Sequence, residues 1–126
     1  MTRIIISFPE SIGDIVVEII NKNLKTIEAL LKNIPFESEV NLWGEEIYFS
    51  TPIAVPLENP DSIVDKGIVA YWPPGQALCI FFGPTPISKP NEIRPASPVN
   101  VIGYVVEGLE KLRLVKEGER VVVKRI

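Results

Sequence analysis

The sequence predicts a mainly β domain over residues 1–126: a small closed barrel of about eight strands, with one α-helix near Leu24 to Asn33 covering an end and short helical turns between strands. Three observations carry this. Isoleucine and valine supply 32 of the 126 residues, and β-branched side chains, stiff at χ1, suit a pleated surface better than a helix. Ten of the twelve prolines fall between Pro52 and Pro98, which cuts that region into short pieces. Only around Leu24 to Asn33 do apolar residues (Leu24, Ile27, Leu31, Ile34) recur at helical spacing.

Arg3 to Phe8 and Asp14 to Ile20 read as an opening hairpin turning through Pro9 to Gly13. The helix follows. Asn23 is placed to cap its start, Glu28 and Lys32 form an i,i+4 pair, Lys32 suits the negative helix end, and Pro35 stops continuation. Ser38 to Ser50, SEVNLWGEEIYFS, alternates on both sides of Gly44 and reads as two strands joined tightly. Gly67 to Trp72 and Ala77 to Phe82 are strands separated by the turn Pro73, Pro74 and Gly75. ALCIFF is apolar at every position, so both its faces should be covered, and Cys79 reads as a buried small hydrophobe. Gly83 to Asn100 is too rich in proline for a regular element, and irregular stretches of that length are often functional. Val101 to Val106 is a strand, Glu107 to Leu114 a turn or short helix, and Glu119 to Ile126 the last strand.

Composition excludes several chemistries. With no histidine there is no Ser-His-Asp or Cys-His catalytic set and no HExxH zinc helix, and one cysteine rules out an internal disulfide or a CxxC knuckle. A net charge of -3 argues against nucleic acid as a partner. Charge is nonetheless uneven. Asn33 to Asp65 holds seven acids and no Lys or Arg, whereas Lys111 to Ile126 holds six basic residues against two acids, a tail read as a solvated face with edge-strand lysines. No apolar run approaches the roughly 18 residues of a membrane span, and the start MTRIIISF is no signal peptide, so no membrane association and a cytoplasmic location are expected.

Alternation in SEVNLWGEEIYFS sends Val40, Leu42, Ile47 and Phe49 to the interior and places Glu39, Asn41, Trp43, Glu46 and Tyr48 on the opposite face. Two large aromatics beside an amide either pack under a loop or form a shallow platform for a ligand. Arg94, the only arginine between Arg3 and Arg113, lies in the long loop and borders that face or stands in solvent. The neighbours Glu45 and Glu46 point to opposite faces and cannot converge as an acid and base pair. Glu39 and Glu46 supply only two carboxylates, so no metal and no cofactor are expected. A homodimer through the aromatic hairpin is a further expectation.

Val101-Ile102-Gly103-Tyr104-Val105-Val106-Glu107-Gly108-Leu109 resembles the cyclophilin strand and turn V-[FI]-G-x-V followed by E-G and an aliphatic residue. Ile34 to Phe49 (IPFESEVNLWGEEIYF), Gly67 to Pro86 (GIVAYWPPGQALCIFFGPTP) and Arg94 to Gly103 (RPASPVNVIG) are similar to stretches of a small prokaryotic cyclophilin-like family without an assigned activity. The resemblance covers most of the chain and implies a closed eight-stranded barrel.

Prolyl isomerisation must lower a barrier of about 18 to 20 kcal/mol, with a donor aimed where the amide nitrogen gains lone-pair character. Cyclophilins use an arginine on the third strand, and a histidine usually lies shortly before V-[FI]-G. Here the matching strand offers Asn41, and the chain has no histidine. Two functions follow from the resemblance: a small-molecule or peptide-binding accessory module using the face of Glu39, Asn41, Trp43, Glu46, Tyr48 and Arg94, or a weak isomerase in which Arg94 replaces the missing donor.

Overall fold

The computed structural model describes residues 2–126. Among these, nine strands form one antiparallel sheet: β1 (Arg3–Phe8), β2 (Gly13–Ile19), β3 (Phe36–Glu39), β4 (Asn41–Leu42), β5 (Glu46–Ser50), β6 (Ile68–Trp72), β7 (Ala77–Phe81), β8 (Asn100–Glu107) and β9 (Arg120–Arg125). The helix α1 spans Leu24–Asn33, and 3-10 turns occupy Pro73–Gly75 and Leu109–Leu114. Strand order is β3-β9-β1-β2-β8-β6-β7-β5-β4. The two end strands are consecutive in the chain, joined through Val40, so the sheet curls into a nearly closed barrel. No helix among the described residues is long and apolar enough to cross a membrane.

The ninth strand corrects the expected count of eight. The segment before Gly44 is not one straight strand: β3 pairs with β9, and after a corner at Val40, β4 pairs with β5. A barrel strand that changes partners must bend, and the fully buried Val40 side chain anchors that bend. Gly44 then takes a positive φ of 61° at the first central position of the two-residue turn into β5, as a II′ hairpin turn requires.

Alternation fills the barrel. Ile4, Ile6 and Phe8 of β1, Ile47 and Phe49 of β5, Leu78 and Ile80 of β7 and Val121 and Val123 of β9 share one core with Ile27 and Leu30 of α1. Three local expectations need correcting. Leu24 is 57% exposed rather than on the buried face of α1, because Thr26, Ile27 and Leu30 turn inward instead. Strand β9 is not an edge: it lies between β3 and β1, and its Arg120 and Lys124 alternate outward from buried Val121 and Val123.

The third concerns the helix cap. Asn23 makes no cap hydrogen bond. It is fully buried, donating from Nδ2 to the Val101 carbonyl at 2.7 Å while its Oδ1 accepts from the Asn59 N–H at 2.7 Å. The helix start is capped by Glu58, whose carboxylate accepts from the N–H of Lys25 (2.9 Å) and of Thr26 (3.1 Å) and from the Thr26 hydroxyl (2.9 Å). Burial raises the Glu58 pKa, but these donors outweigh it and hold the carboxyl below its ordinary value. Asn100 completes the clamp: its Oδ1 accepts from the Glu58 N–H, and its Nδ2 donates to the Thr26 hydroxyl and the Pro56 carbonyl.

The glycines of the V-I-G and E-G motif are set by close approach. A Cβ on Gly103 would stand 2.2 Å from the Glu18 carbonyl oxygen. Gly108 has a φ of 92°, and a Cβ there would meet Ile15 at 2.8 Å.

Gly103→Ala is therefore expected to destabilise the fold by about 1 to 3 kcal/mol, measured by urea unfolding, because backbone rather than a flexible side chain must move. Glu58→Ala should cost about 1 kcal/mol at pH 7 through loss of the cap. Since the folded-state pKa is lowered, that contribution is present above the ordinary carboxyl value and lost as pH falls through the folded one. Unfolding curves of variant and parent should thus converge in acid.

Candidate functional site: a carboxylate in an aromatic cleft

Alternation that sends Ile47 and Phe49 inward sends Glu46 and Tyr48 of β5 outward. Their register partners on β7 are Phe81 and Cys79, facing the same way. In β6, Ala70 pairs with Cys79, and Trp72 pairs with Ala77. Most of this outer face is shielded from solvent, with Tyr48 and Trp72 half-buried. Val64, Ala70, Cys79, Phe81, Ile93, Val99 and Val101 form a second buried cluster beneath the loop that follows β7.

The loop is fastened over the sheet. Asp61 and Val99 exchange backbone hydrogen bonds of 2.9 and 3.0 Å, the Val64 N–H donates to the Ile93 carbonyl at 3.0 Å, and Trp72 Nε1 donates to Ser97 Oγ at 2.6 Å. Ser88 Oγ accepts from the N–H groups of Thr85 and Arg94, both at 2.9 Å. The cover stops short of the β5 hairpin and leaves a cleft of about 160 Å³. Glu46, Tyr48, Cys79 and Phe81 form its floor, Trp43 and Trp72 stand at its sides, and Pro95, Ala96 and Val99 close it from the loop.

Glu46 is the unusual group. It is 6% exposed, and the side chain that hydrogen-bonds its carboxylate is the Cys79 thiol. Removal from water pushes its pKa up to about 7, with the Cys79 thiol pulling weakly the other way. The Cys79 thiol is itself raised well above its ordinary value by burial and then by the Glu46 charge, which leaves it protonated and unreactive near neutrality. Glu45 turns away, packing beside Gly83 and lying 3.9 Å from Arg113.

Of the six residues singled out in the sequence, the cleft brings together Trp43, Glu46 and Tyr48. Asn41 lies opposite Tyr48 in register, its Nδ2 3.4 Å from the Tyr48 carbonyl, and does not line the cleft. Glu39 is exposed at the end of β3 opposite Arg120, because the Val40 corner carries it out of the plane that simple alternation assumes. Arg94 lies in a neighbouring hollow with Ser62 and Ile87, its guanidinium held by Glu92 through Nε at 2.8 Å and Nη2 at 3.2 Å. Sequence reasoning missed Trp72, Phe81 and the loop wall at Pro95. The two-sided apolar run of β7 was the available signal, but its register against Glu46 and Tyr48 is a tertiary property.

The chain matches the family described as cyclophilin-like over residues 2–124. No curated protein matches it. Among solved structures, a hypothetical protein from Archaeoglobus fulgidus, determined in solution, is similar at 46% identity with a TM-score of 0.85, covering 99% of this chain and 95% of that one. McbB in complex with tryptophan shares the fold at 19% identity with a TM-score of 0.77, covering 97% of this chain and 44% of McbB.

Glu46 should titrate near pH 7, visible as a step in the fluorescence of the two tryptophans, Trp43 and Trp72, that Glu46→Gln removes. With a raised folded-state pKa, the associated stability is fully present below the ordinary glutamate value and is lost as pH rises through about 7. Glu46→Gln is therefore expected to be more stable than the parent at pH 8, by at most about 3 kcal/mol, with the difference vanishing near pH 4.

Proposed function

This chain belongs to the cyclophilin-like family, and on that premise we propose that it is a binding module whose ligand sits in the outer-face cleft, and that it lacks the standard prolyl isomerase site. The observation that carries the reading is Glu46: a carboxylate kept 6% exposed among aromatic rings, with the Cys79 thiol as its one donor and no cation of its own chain to offset the desolvation. Such an arrangement lowers stability, and groups of this kind concentrate where they act on something else. The cleft is mostly apolar with one acidic side chain, the composition of a small-ligand site.

The isomerase reading is the weaker one because of its donor. Arg94 was the residue to replace the missing arginine, but its guanidinium is occupied by Glu92, and none of the residues lining the cleft is Lys or Arg. The solved complex of McbB with tryptophan makes aromatic amino acids reasonable first probes.

The test is paired. In the indole N–H region of a proton–nitrogen correlation spectrum, aromatic amino acids and short X-Pro peptides should shift Trp43 and Trp72, with the response lost in Tyr48→Ala. In a protease-coupled assay over a range of X-Pro peptides, no acceleration is expected. Acceleration abolished by Arg94→Ala would replace the binding module with an isomerase.

A further inference from the structure

The character of the cleft narrows its ligand, on the premise that the cleft is the binding site. Three features converge. First, Glu46 is the only acidic group among the lining residues, and among the described residues no cation lines the cleft: Tyr48 stands beside Glu46 on β5, burial keeps the Cys79 thiol on β7 protonated, Trp43 and Trp72 carry no charge, and the loop contributes only Pro95, Ala96 and Val99. The nearest arginine in sequence to that loop wall, Arg94, is turned to Glu92. A carboxylate largely removed from water, with only a thiol for a donor, regains most when a cation reaches it, since charge-assisted hydrogen bonds strengthen in a dry site. Second, Trp43, Tyr48, Trp72 and Phe81 surround the carboxylate, and aromatic faces attract cations while repelling anions. Third, the volume of about 160 Å³ is close to the roughly 150 Å³ that admits one benzene ring.

We propose that the cleft takes a protonated amine carried on a body about the size of one aromatic ring, with the ammonium on the Glu46 carboxylate and the ring against Trp43, Tyr48 and Trp72. Neutral ligands would leave the carboxylate uncompensated, and anions would be repelled by it. Because the ammonium requires the ionised carboxylate, uptake and proton release by Glu46 are linked. Its titration near pH 7 makes affinity rise about fivefold to tenfold between pH 6 and pH 8.

Three probes built on one benzyl group decide it: benzylamine, benzyl alcohol and phenylacetate, each titrated into the millimolar range while the indole N–H signals of Trp43 and Trp72 are followed. Benzylamine is expected to bind at least tenfold more tightly than benzyl alcohol and to tighten as pH rises, with phenylacetate weakest. Glu46→Gln should abolish both the preference and the pH dependence, a loss of about tenfold to hundredfold for benzylamine. The pH profile of the parent protein carries the test independently of any variant. Benzyl alcohol or phenylacetate moving the indoles as strongly as benzylamine, or affinity falling as pH rises, would overturn the ammonium assignment while leaving the cleft a binding site. No movement by any probe would overturn both.

Discussion

Strand β7 has no solvent side, and the rest of the molecule is arranged around that fact. Leu78 and Ile80 belong to the barrel interior, while Ala77, Cys79 and Phe81 are equally buried on the outside. A barrel supplies its own inner cover, but an outer apolar face needs a second layer. The chain provides it without regular structure, by laying the proline-rich segment after β7 across the sheet. Fixing an irregular loop costs conformational entropy, and proline reduces that cost by limiting the unfolded chain. The bridges of Asp61 to Val99 and Val64 to Ile93 then hold it in place.

The same clamp links the cover to the helix. Asn23, Glu58 and Asn100 are distant in sequence, yet each satisfies backbone groups belonging to another element. Buried polar groups are costly unless hydrogen-bonded, so this network specifies one placement of the segment before Asp61 against α1 and β8. Displacing the segment would strand two buried asparagines and uncap the helix together.

Where the loop ends, the consequences become chemical. Glu46 and Tyr48 occupy outward positions that would be wet on an uncovered barrel, and the loop with its aromatic neighbours withdraws them from water. Glu46 thus combines two roles that conflict energetically: a β5 position in the ladder opposite Phe81, and a charge with no counterpart. That conflict is a local energetic cost in an otherwise well-packed domain. The cyclophilin-like barrel here presents an acid and aromatic rings on the outer face of β5, β6 and β7.

What the sequence determined by itself was whatever depends on neighbours in the chain. Side-chain alternation, helical spacing and glycine or proline punctuation are local, so the strands, the helix from Leu24, the two-sided burial of ALCIFF and the divergence of Glu45 from Glu46 were all legible. A third of the cleft lining, Trp43, Glu46 and Tyr48, was legible for the same reason. Tertiary structure decided everything that depends on which strand lies beside which. The corner at Val40 removed Glu39 from the face it shares by alternation, and β9 became interior once β3 joined it. Glu58 displaced Asn23 as the cap because Asn23 had more to satisfy inside. Arg94 was drawn to Glu92, two residues away, rather than across to Tyr48. The carboxylate's burial, on which the reading of the site rests, comes from Trp72, Phe81 and Pro95, brought to Glu46 only by ladder register and loop closure. Desolvation is a property of the assembled surroundings, and no spacing along the chain encodes it.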